Sequence, residues 1–255
     1  MTAPIVQQNQ PDGVPPLELT GERTLPDVPE ENYWFQRHLV VYRWIADQLA
    51  GKRVVDMACG EGYGSDLMAT AAAQVTGVDA NPEAFEHARL RYQRPNLKFV
   101  RELVEEYDEP CDAIVFLQTI EHVQEPKLLL ERLFSRLPDN GALYVSTPNV
   151  LTLAPKGAER SDNPWHVHEY KPEEFADLCR SVAPVVEMHG LWHAGKLRLH
   201  ELAIRHGRWD DLHKGLRFTK PFYDWFIPAI STGDFRLGQG DLSTSLDLIA
   251  VLRKA

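Results

Sequence analysis

Two kinds of residue in this 255-residue chain have the type and spacing for chemistry. The first are carboxylates that end short apolar runs: Asp56 within Arg53-Val-Val-Asp-Met-Ala-Cys-Gly-Glu-Gly-Tyr-Gly64, and Asp79 closing Gln74-Val-Thr-Gly-Val-Asp79. The second are imidazoles beside acids, in Gln118-Thr-Ile-Glu-His122 and in Asn163-Pro-Trp-His-Val-His-Glu-Tyr170. Glu121, His122, His166 and His168 carry donor atoms suited to a divalent cation such as Mg2+, which would lower the pKa of a bound hydroxyl. Without a cation, one imidazole near its natural pKa suffices as a general base, so His122, His166 and His168 are also the catalytic candidates. A third reading makes the Glu-His pair structural. All three stay open on sequence grounds.

These groups can act together only if the fold brings them to one edge. Val54, Val55 and Met57 read as a short buried strand with Asp56 near its carboxyl end, because β-branched residues suit a pleated surface and the run is too brief for a helix. Gly60, Gly62 and Gly64 then permit a tight turn whose backbone can approach a ligand, and a helix is expected over Ser65 to Ala72. Asp79 ends a second strand roughly 20 residues beyond the first turn, where nucleotide-binding βαβ units place a ribose-binding carboxylate. An acid at the first turn would repel a pyrophosphate and suits a ligand with an ammonium group, which disfavours NAD. Asn81 as cap and Pro82 at the first helical position start a helix to about Tyr92. Further strands are expected over Leu97 to Glu102, Asp112 to Leu117, Leu143 to Thr147, Val185 to Leu191 and Leu246 to Leu252, with helices from Pro126 and Pro172. The two histidine-bearing stretches follow the fourth and fifth strands, so both face the carboxyl edge where ligands of open α/β sheets lie.

The pattern Asp56-x-Ala-x-Gly-x-Gly, followed by the strand ending at Asp79, resembles the class I S-adenosylmethionine-dependent methyltransferases over roughly Arg53 to Asn149. The resemblance implies a doubly wound, Rossmann-like α/β domain with a seven-stranded, mostly parallel sheet whose last strand is antiparallel. An N-terminal helix and a helical lid insertion would complete it. It also implies S-adenosyl-L-methionine as cofactor. Asp56 and the turn with Ala58, Gly60 and Gly62 would hold the methionine end, Asp79 the ribose hydroxyls, and Glu102 with Leu103 the adenine, while Ala80 and Gln118 complete the cofactor-binding set. Arg101-Glu-Leu-Val stands here in place of the usual Gly-Asp-Ala. Glu-His after the fourth strand is similar to the plant small-RNA 2′-O-methyltransferases and the ubiquinone-pathway O-methyltransferases, which carry Glu-x-x-Glu-His. Gln118 replaces their first Glu and removes one anionic ligand.

The order Glu30-Glu-Asn-Tyr-Trp-Phe35, Thr147-Pro-Asn149, Asn163-Pro-Trp-His166 and Ser245-Leu-Asp-Leu-Ile-Ala-Val251 resembles actinobacterial methyltransferases linked to methylated sugars and polysaccharides. It implies O-methylation of a small, saccharide hydroxyl, with Trp165, Trp192, Trp209 or Trp225 as a stacking surface. The rivals are an N-methyltransferase or other small-metabolite methyltransferase, and a non-catalytic cofactor-binding partner protein.

A net charge of −10 disfavours a nucleic-acid partner, which needs a basic face to displace counterions. Three cysteines without paired spacing suggest neither a disulfide framework nor a zinc site. No apolar run reaches membrane-spanning length and the first residues lack a signal-peptide layout, so a cytoplasmic location is expected. Oligomeric state stays open, a homodimer included. Residues 1–29, polar and broken by six prolines, are expected to be flexible, with the methyltransferase domain over 30–255. A helix is expected from Glu30 to about Leu49, its Tyr33, Trp34, Arg37 and His38 either anchoring it to the sheet or covering the cofactor with Arg37 or His38 near its carboxylate. Residues 194–240 are expected to form the lid over the acceptor.

Overall fold

The period-2 alternation of side chains between two buried faces explains the layering seen in the computed structural model, which describes residues 4–21, 23–155, 157–207 and 220–254. The sheet strands are β1 Arg53–Met57, β2 Gln74–Val78, β3 Leu97–Val100, β4 Ala113–Leu117, β5 Ala142–Pro148, β6 Val185–His193, β7 Phe235–Gly238 and β8 Asp247–Arg253. In β4, Ala113, Val115 and Leu117 pack on one face while Ile114 and Phe116 pack on the other; in β8, Ile249 and Val251 oppose Leu248, Ala250 and Leu252. Both faces of these central strands are therefore buried, as a parallel sheet covered by helices requires. The helices are α1 Asn32–Ala46, α2 Tyr63–Met68, α3 Pro82–Arg91, α4 Pro126–Ser135, α5 Val150–Leu153, α6 Pro172–Arg180, α7 Gly195–Gly207 and α8 Lys220–Phe226. Residues of α1, α2, α7 and α8 join the first core face, and residues of α4 and α6 the second. No helix among the described residues is long and apolar enough to cross a membrane.

The strand order is β3-β2-β1-β4-β5-β8-β6-β7. β1 pairs in parallel with both β2 and β4, so the direction of winding reverses beside it and opens a crevice at the carboxyl ends of β1 and β4. β8 runs antiparallel to β5 and β6, as the resemblance implied. The sheet has eight strands instead of seven. The extra one, β7, pairs antiparallel with β6 at the edge and lies within the stretch read as a helical lid. A four-residue Phe-Arg-Leu-Gly is too short for alternation to stand out, and its strand character comes from the neighbour it pairs with.

Residues 4–21 and 23–28, expected to be flexible, pack instead as a strap. Val6 bridges Glu18 in antiparallel fashion, and Leu17, Leu25 and Val28 form a small apolar cluster of their own. Gln7 is buried and its Nε2 donates to Glu61 at 3.1 Å and to the Pro26 carbonyl at 3.2 Å. His87 Nδ1 meets the Pro15 carbonyl at 2.7 Å, and Arg91 reaches Asp27 at 2.6 Å. Proline forbids helix here without forbidding this docking, because the donors and acceptors are supplied by the β1 turn and α3.

Helix α1 is bolted to the sheet by a buried ion pair. Arg37 Nε and Nη2 donate to the two Asp247 oxygens at 2.8 and 2.6 Å, and Nη2 also reaches the Leu246 carbonyl at 2.7 Å. The two side chains are 4% and 0% exposed, so removing one strands the other as an uncompensated charge. Arg37→Ala is expected to cost about 3–5 kcal/mol of unfolding free energy, seen in chemical denaturation as a lower midpoint at unchanged slope. A loss below about 1 kcal/mol would show that the pair is not the bolt it looks like.

Candidate active site

A cleft of about 1000 Å³ lies along the carboxyl edge of the sheet, lined by the segments that follow β1, β2, β3, β4 and β5. At one end, the β1 turn holds positive φ at Ala58 (55°), Gly60 (58°) and Gly62 (97°). Gly60 N–H donates to Asp79 Oδ2 at 2.8 Å, and Asn81 N–H to Oδ1 at 2.9 Å, so one carboxylate fixes both the glycine turn and the start of α3. A Cβ at Gly60 would meet nothing within 4 Å, so the turn presents open backbone to the cleft, whereas one at Gly62 would lie 2.8 Å from the Ala88 side chain. Gly62 is thus demanded by packing against α3 as well as by its backbone angle.

Asp56 has a different place from the one expected. Its carboxylate is fully buried and does not line the cleft; Tyr42 O–H donates to Oδ1 at 3.3 Å and Ser65 O–H to Oδ2 at 2.6 Å. Burial pushes its pKa up to about 7 against those two hydrogen bonds. It braces the turn from below, between α1 and α2. Arg37 is equally distant in role, being engaged by Asp247, and burial pushes the His38 imidazole down to about 4, so His38 lines the cleft as a neutral ring.

Of the other residues singled out from sequence, Ala58, Gly60, Asp79, Ala80, Leu103 and Gln118 line the cleft. Glu102 is exposed and does not; Leu103, Val104 and Glu105 hold that wall instead. Gln118, with φ 51°, uses its backbone N–H and side-chain amide on Ser146, closing the gap between β4 and β5.

At the far end, Ile120–His122 forms a single 3-10 turn after β4. The loop after β5 docks on it by main chain: the Val167 and His168 N–H groups both donate to the Glu121 carbonyl, at 2.8 and 3.0 Å. The outcome is that candidate ligand atoms of Glu121, His122 and His166 lie within 4.8 Å of one another, the two imidazole rings 5.1 Å apart. His122 Nδ1 donates to the Trp165 carbonyl at 2.8 Å, and His166 Nδ1 meets Glu169 Oε1 at 2.6 Å, which turns Nε2 of each ring inward as the acceptor. Asn163 Nδ2 approaches His166 Nε2 at 3.0 Å. Glu121 is buried; its Oε2 and the nearby Thr147 hydroxyl make no hydrogen bond of ordinary geometry, and burial pushes the carboxyl up to about 8. His168 is not part of this group. It pairs with Glu174 at 2.6 Å, half exposed.

The cover over the cleft also differs from expectation. Among the described residues of 194–240 none lines it: Leu197, Phe226, Ile230 and Phe235 bury against the α1 face, and Asn32 donates to the carbonyls of Ile227 and Ile230. Trp209 and Phe218 lie outside the described residues. Cover comes instead from Gly21, Arg23 and Thr24 of the strap, from Trp34, and from residues between Leu153 and His166. Of the tryptophans, Trp165 lines the cleft and is 53% exposed, whereas Trp192 donates to Thr244 and stacks under Arg236, and Trp225 is exposed elsewhere. The strap and the pair Asn163 and Glu169 behind His166 were missed from sequence. Their only trace there is Leu17, Leu25 and Val28 in an otherwise polar run, and acids and amides spaced through a loop.

Residues 33–182 match the family described as a methyltransferase domain. A probable S-adenosylmethionine-dependent methyltransferase of Mycolicibacterium smegmatis is 36% identical over 255 residues, covering 94% of this chain and 97% of its own. The chain belongs to the S-adenosylmethionine-dependent methyltransferases. A ubiquinone biosynthesis O-methyltransferase of Albidiferax ferrireducens is 34% identical to this methyltransferase over 151 residues, 52% of this chain and 60% of its own. A solved S-adenosylmethionine-dependent methyltransferase of Thermotoga maritima, described as a possible histamine N-methyltransferase, shares the fold, with a TM-score of 0.58 at 17% identity over 89% of this chain and 96% of that one. The cleft of this methyltransferase fits the cofactor: the open backbone at Gly60, the Asp79 carboxylate beside it and the apolar Leu103 wall suit a polar nucleoside carrying a flat base.

The buried Asp56 gives a test without ligand. Its pKa in the folded state lies near 7, above the unfolded value, so the unfolded chain loses its proton first and stability falls as pH rises from about 4 to 7. Asp56→Asn removes that dependence. The difference in unfolding free energy, variant minus parent, is expected to move in the variant's favour by a few kcal/mol (order of magnitude) between about pH 4.5 and 8. A flat difference would show that Asp56 is ionised in the fold throughout.

Proposed function

We propose that this methyltransferase acts on a hydroxyl of a small, saccharide acceptor, and that Glu121, His122 and His166 take charge of the proton. The supporting observation is the convergence of those three side chains at the cleft end remote from the glycine turn. Bound S-adenosylmethionine supplies an electrophilic methyl carbon. A neutral amine attacks such a carbon without help, whereas a hydroxyl needs its proton removed or its pKa lowered, so a built acid-imidazole cluster supports the second kind of acceptor.

The cluster suits a divalent cation. A buried carboxylate oxygen without a hydrogen bond calls for either a proton or a positive charge. Both histidines have Nδ1 tied to an acceptor, one carbonyl and one carboxylate, the arrangement that orients metal-binding imidazoles. Glu121 and the Nε2 atoms of His122 and His166 would be the ligands, and a cation among them would lower the pKa of a bound hydroxyl. The Asn163 amide on His166 Nε2 favours a second reading, in which no cation binds and His122 is the general base. For the acceptor, Trp165 offers an exposed aromatic face in the same cleft as the polar side chains of Ser161, Asp162 and Asn163, a combination that matches the apolar and hydroxylated faces of a sugar ring.

Screening labelled cofactor against sugars, phenols and amines is expected to give label on a sugar oxygen. Turnover should fall by about a hundredfold or more in chelator and return with Mg2+ or Mn2+, with His122→Ala inactive under both conditions. Turnover unchanged by chelator, with metal analysis finding no bound ion, would replace the cation reading by the base reading. Label on nitrogen alone would overturn the hydroxyl acceptor.

A further inference from the structure

Asn163 holds two members of the candidate site at once. Its Oδ1 accepts the Trp165 N–H at 2.9 Å, which fixes the orientation of the amide: the NH2 side is the one 3.0 Å from His166 Nε2, and it donates to that nitrogen. The main chain around Asn163 is tied by other bonds. Asn163 N–H donates to Ser161 Oγ at 3.2 Å, Ser161 N–H to Glu169 Oε2 at 2.8 Å, and Arg160 Nη2 to the His166 carbonyl at 2.8 Å. The amide itself stands half-buried in the cleft wall, so it can rotate into the cleft while the loop keeps its course.

Both peptide groups of Trp165 are bonded to the cluster: its N–H to Asn163, and its carbonyl to His122 Nδ1 at 2.8 Å. With the indole 53% exposed, those two bonds do much to place it. A cation held by Glu121, His122 and His166 needs the lone pair of His166 Nε2, and that lone pair serves one partner at a time. The Asn163 amide has it already. Turning the amide over in place is no remedy, because its NH2 would then face the Trp165 N–H, donor against donor. The amide has to leave, and in leaving it releases Trp165.

We propose that Asn163 is the positioning residue that couples the cation site to the aromatic face offered to the acceptor: it seals His166 Nε2 and clamps Trp165 until a divalent cation enters, and then gives up both. Trp165 becomes free to close on an acceptor only when the group that handles the acceptor's proton is in place. Cation binding and acceptor binding then favour each other, since both require the amide to be displaced. This coupling rests on the cation reading of the site and on no particular acceptor.

The probe is Zn2+ alone, a closed-shell ion that does not quench tryptophan through unpaired electrons, titrated into the full chain by calorimetry and by tryptophan emission. Binding that His166→Ala abolishes is binding at this site. The parent is expected to bind Zn2+ with a change in emission, and Trp165→Phe to lose that change while its affinity stays within about threefold. Asn163→Ala is expected to bind Zn2+ about two- to tenfold more tightly, the scale of one net hydrogen bond no longer broken, and to show little of the emission change because Trp165 is already released. Affinity in Asn163→Ala equal to or below the parent's, or an emission change that survives in Asn163→Ala or Trp165→Phe, would overturn the coupling and leave the cation reading standing. Absence of any His166-dependent Zn2+ binding in the parent would remove the cation reading itself, and the coupling with it.

Discussion

The turn after β1 has to leave the sheet through three residues of left-handed backbone, of which Gly60 and Gly62 adopt it freely while Ala58 carries a steric cost, and all three must be kept in one conformation. Three sets of bonds do so. Asp79, at the end of β2, accepts the Gly60 amide; Asp56, beneath the turn, ties α1 to α2 through Tyr42 and Ser65; Glu61, inside the turn, gathers donors from the strap and α3. The open backbone of the turn is therefore held by neighbouring elements, and its one non-glycine residue in left-handed backbone, Ala58, draws its support from them.

The opposite end of the cleft obeys a different constraint, the register of one loop on one 3-10 turn. Two N–H groups of the β5 loop converge on the Glu121 carbonyl, and the chain bends at Val167, so that His166 joins Glu121 and His122 while His168 pairs with Glu174. Glu169 and Asn163 then hold the ring from both nitrogens. The placement of the two imidazoles at this end therefore rests on main-chain bonds as well as on which side chains are present.

The strands were legible because burial on both faces leaves β-branched and apolar runs that only a covered sheet can use, whereas their parallel order and the antiparallel close were implied by the family resemblance. The turn glycines and the Asn81-Pro82 helix start were legible because each has a local cause. The strap was not. Its prolines speak against helix, and nothing local in residues 4–28 announces that Glu61 and His87, far along the chain, have donors and acceptors waiting for it. Strand β7 was hidden for the same reason, since its order comes from β6 alone.

The sequence by itself determined the kind of fold: apolar periodicity, a glycine turn and helix-start signals mark an α/β sheet with an open turn at its carboxyl edge, because those signals act through near neighbours in the chain. Which acid touches the cleft, which histidine turns inward, whether Arg37 binds or bolts, and what covers the site were decided by tertiary structure. Burial, ion pairing and loop register depend on residues brought together from distant segments, and a carboxylate such as Asp56 reads the same in sequence whether it faces a ligand or a Tyr and a Ser beneath the floor.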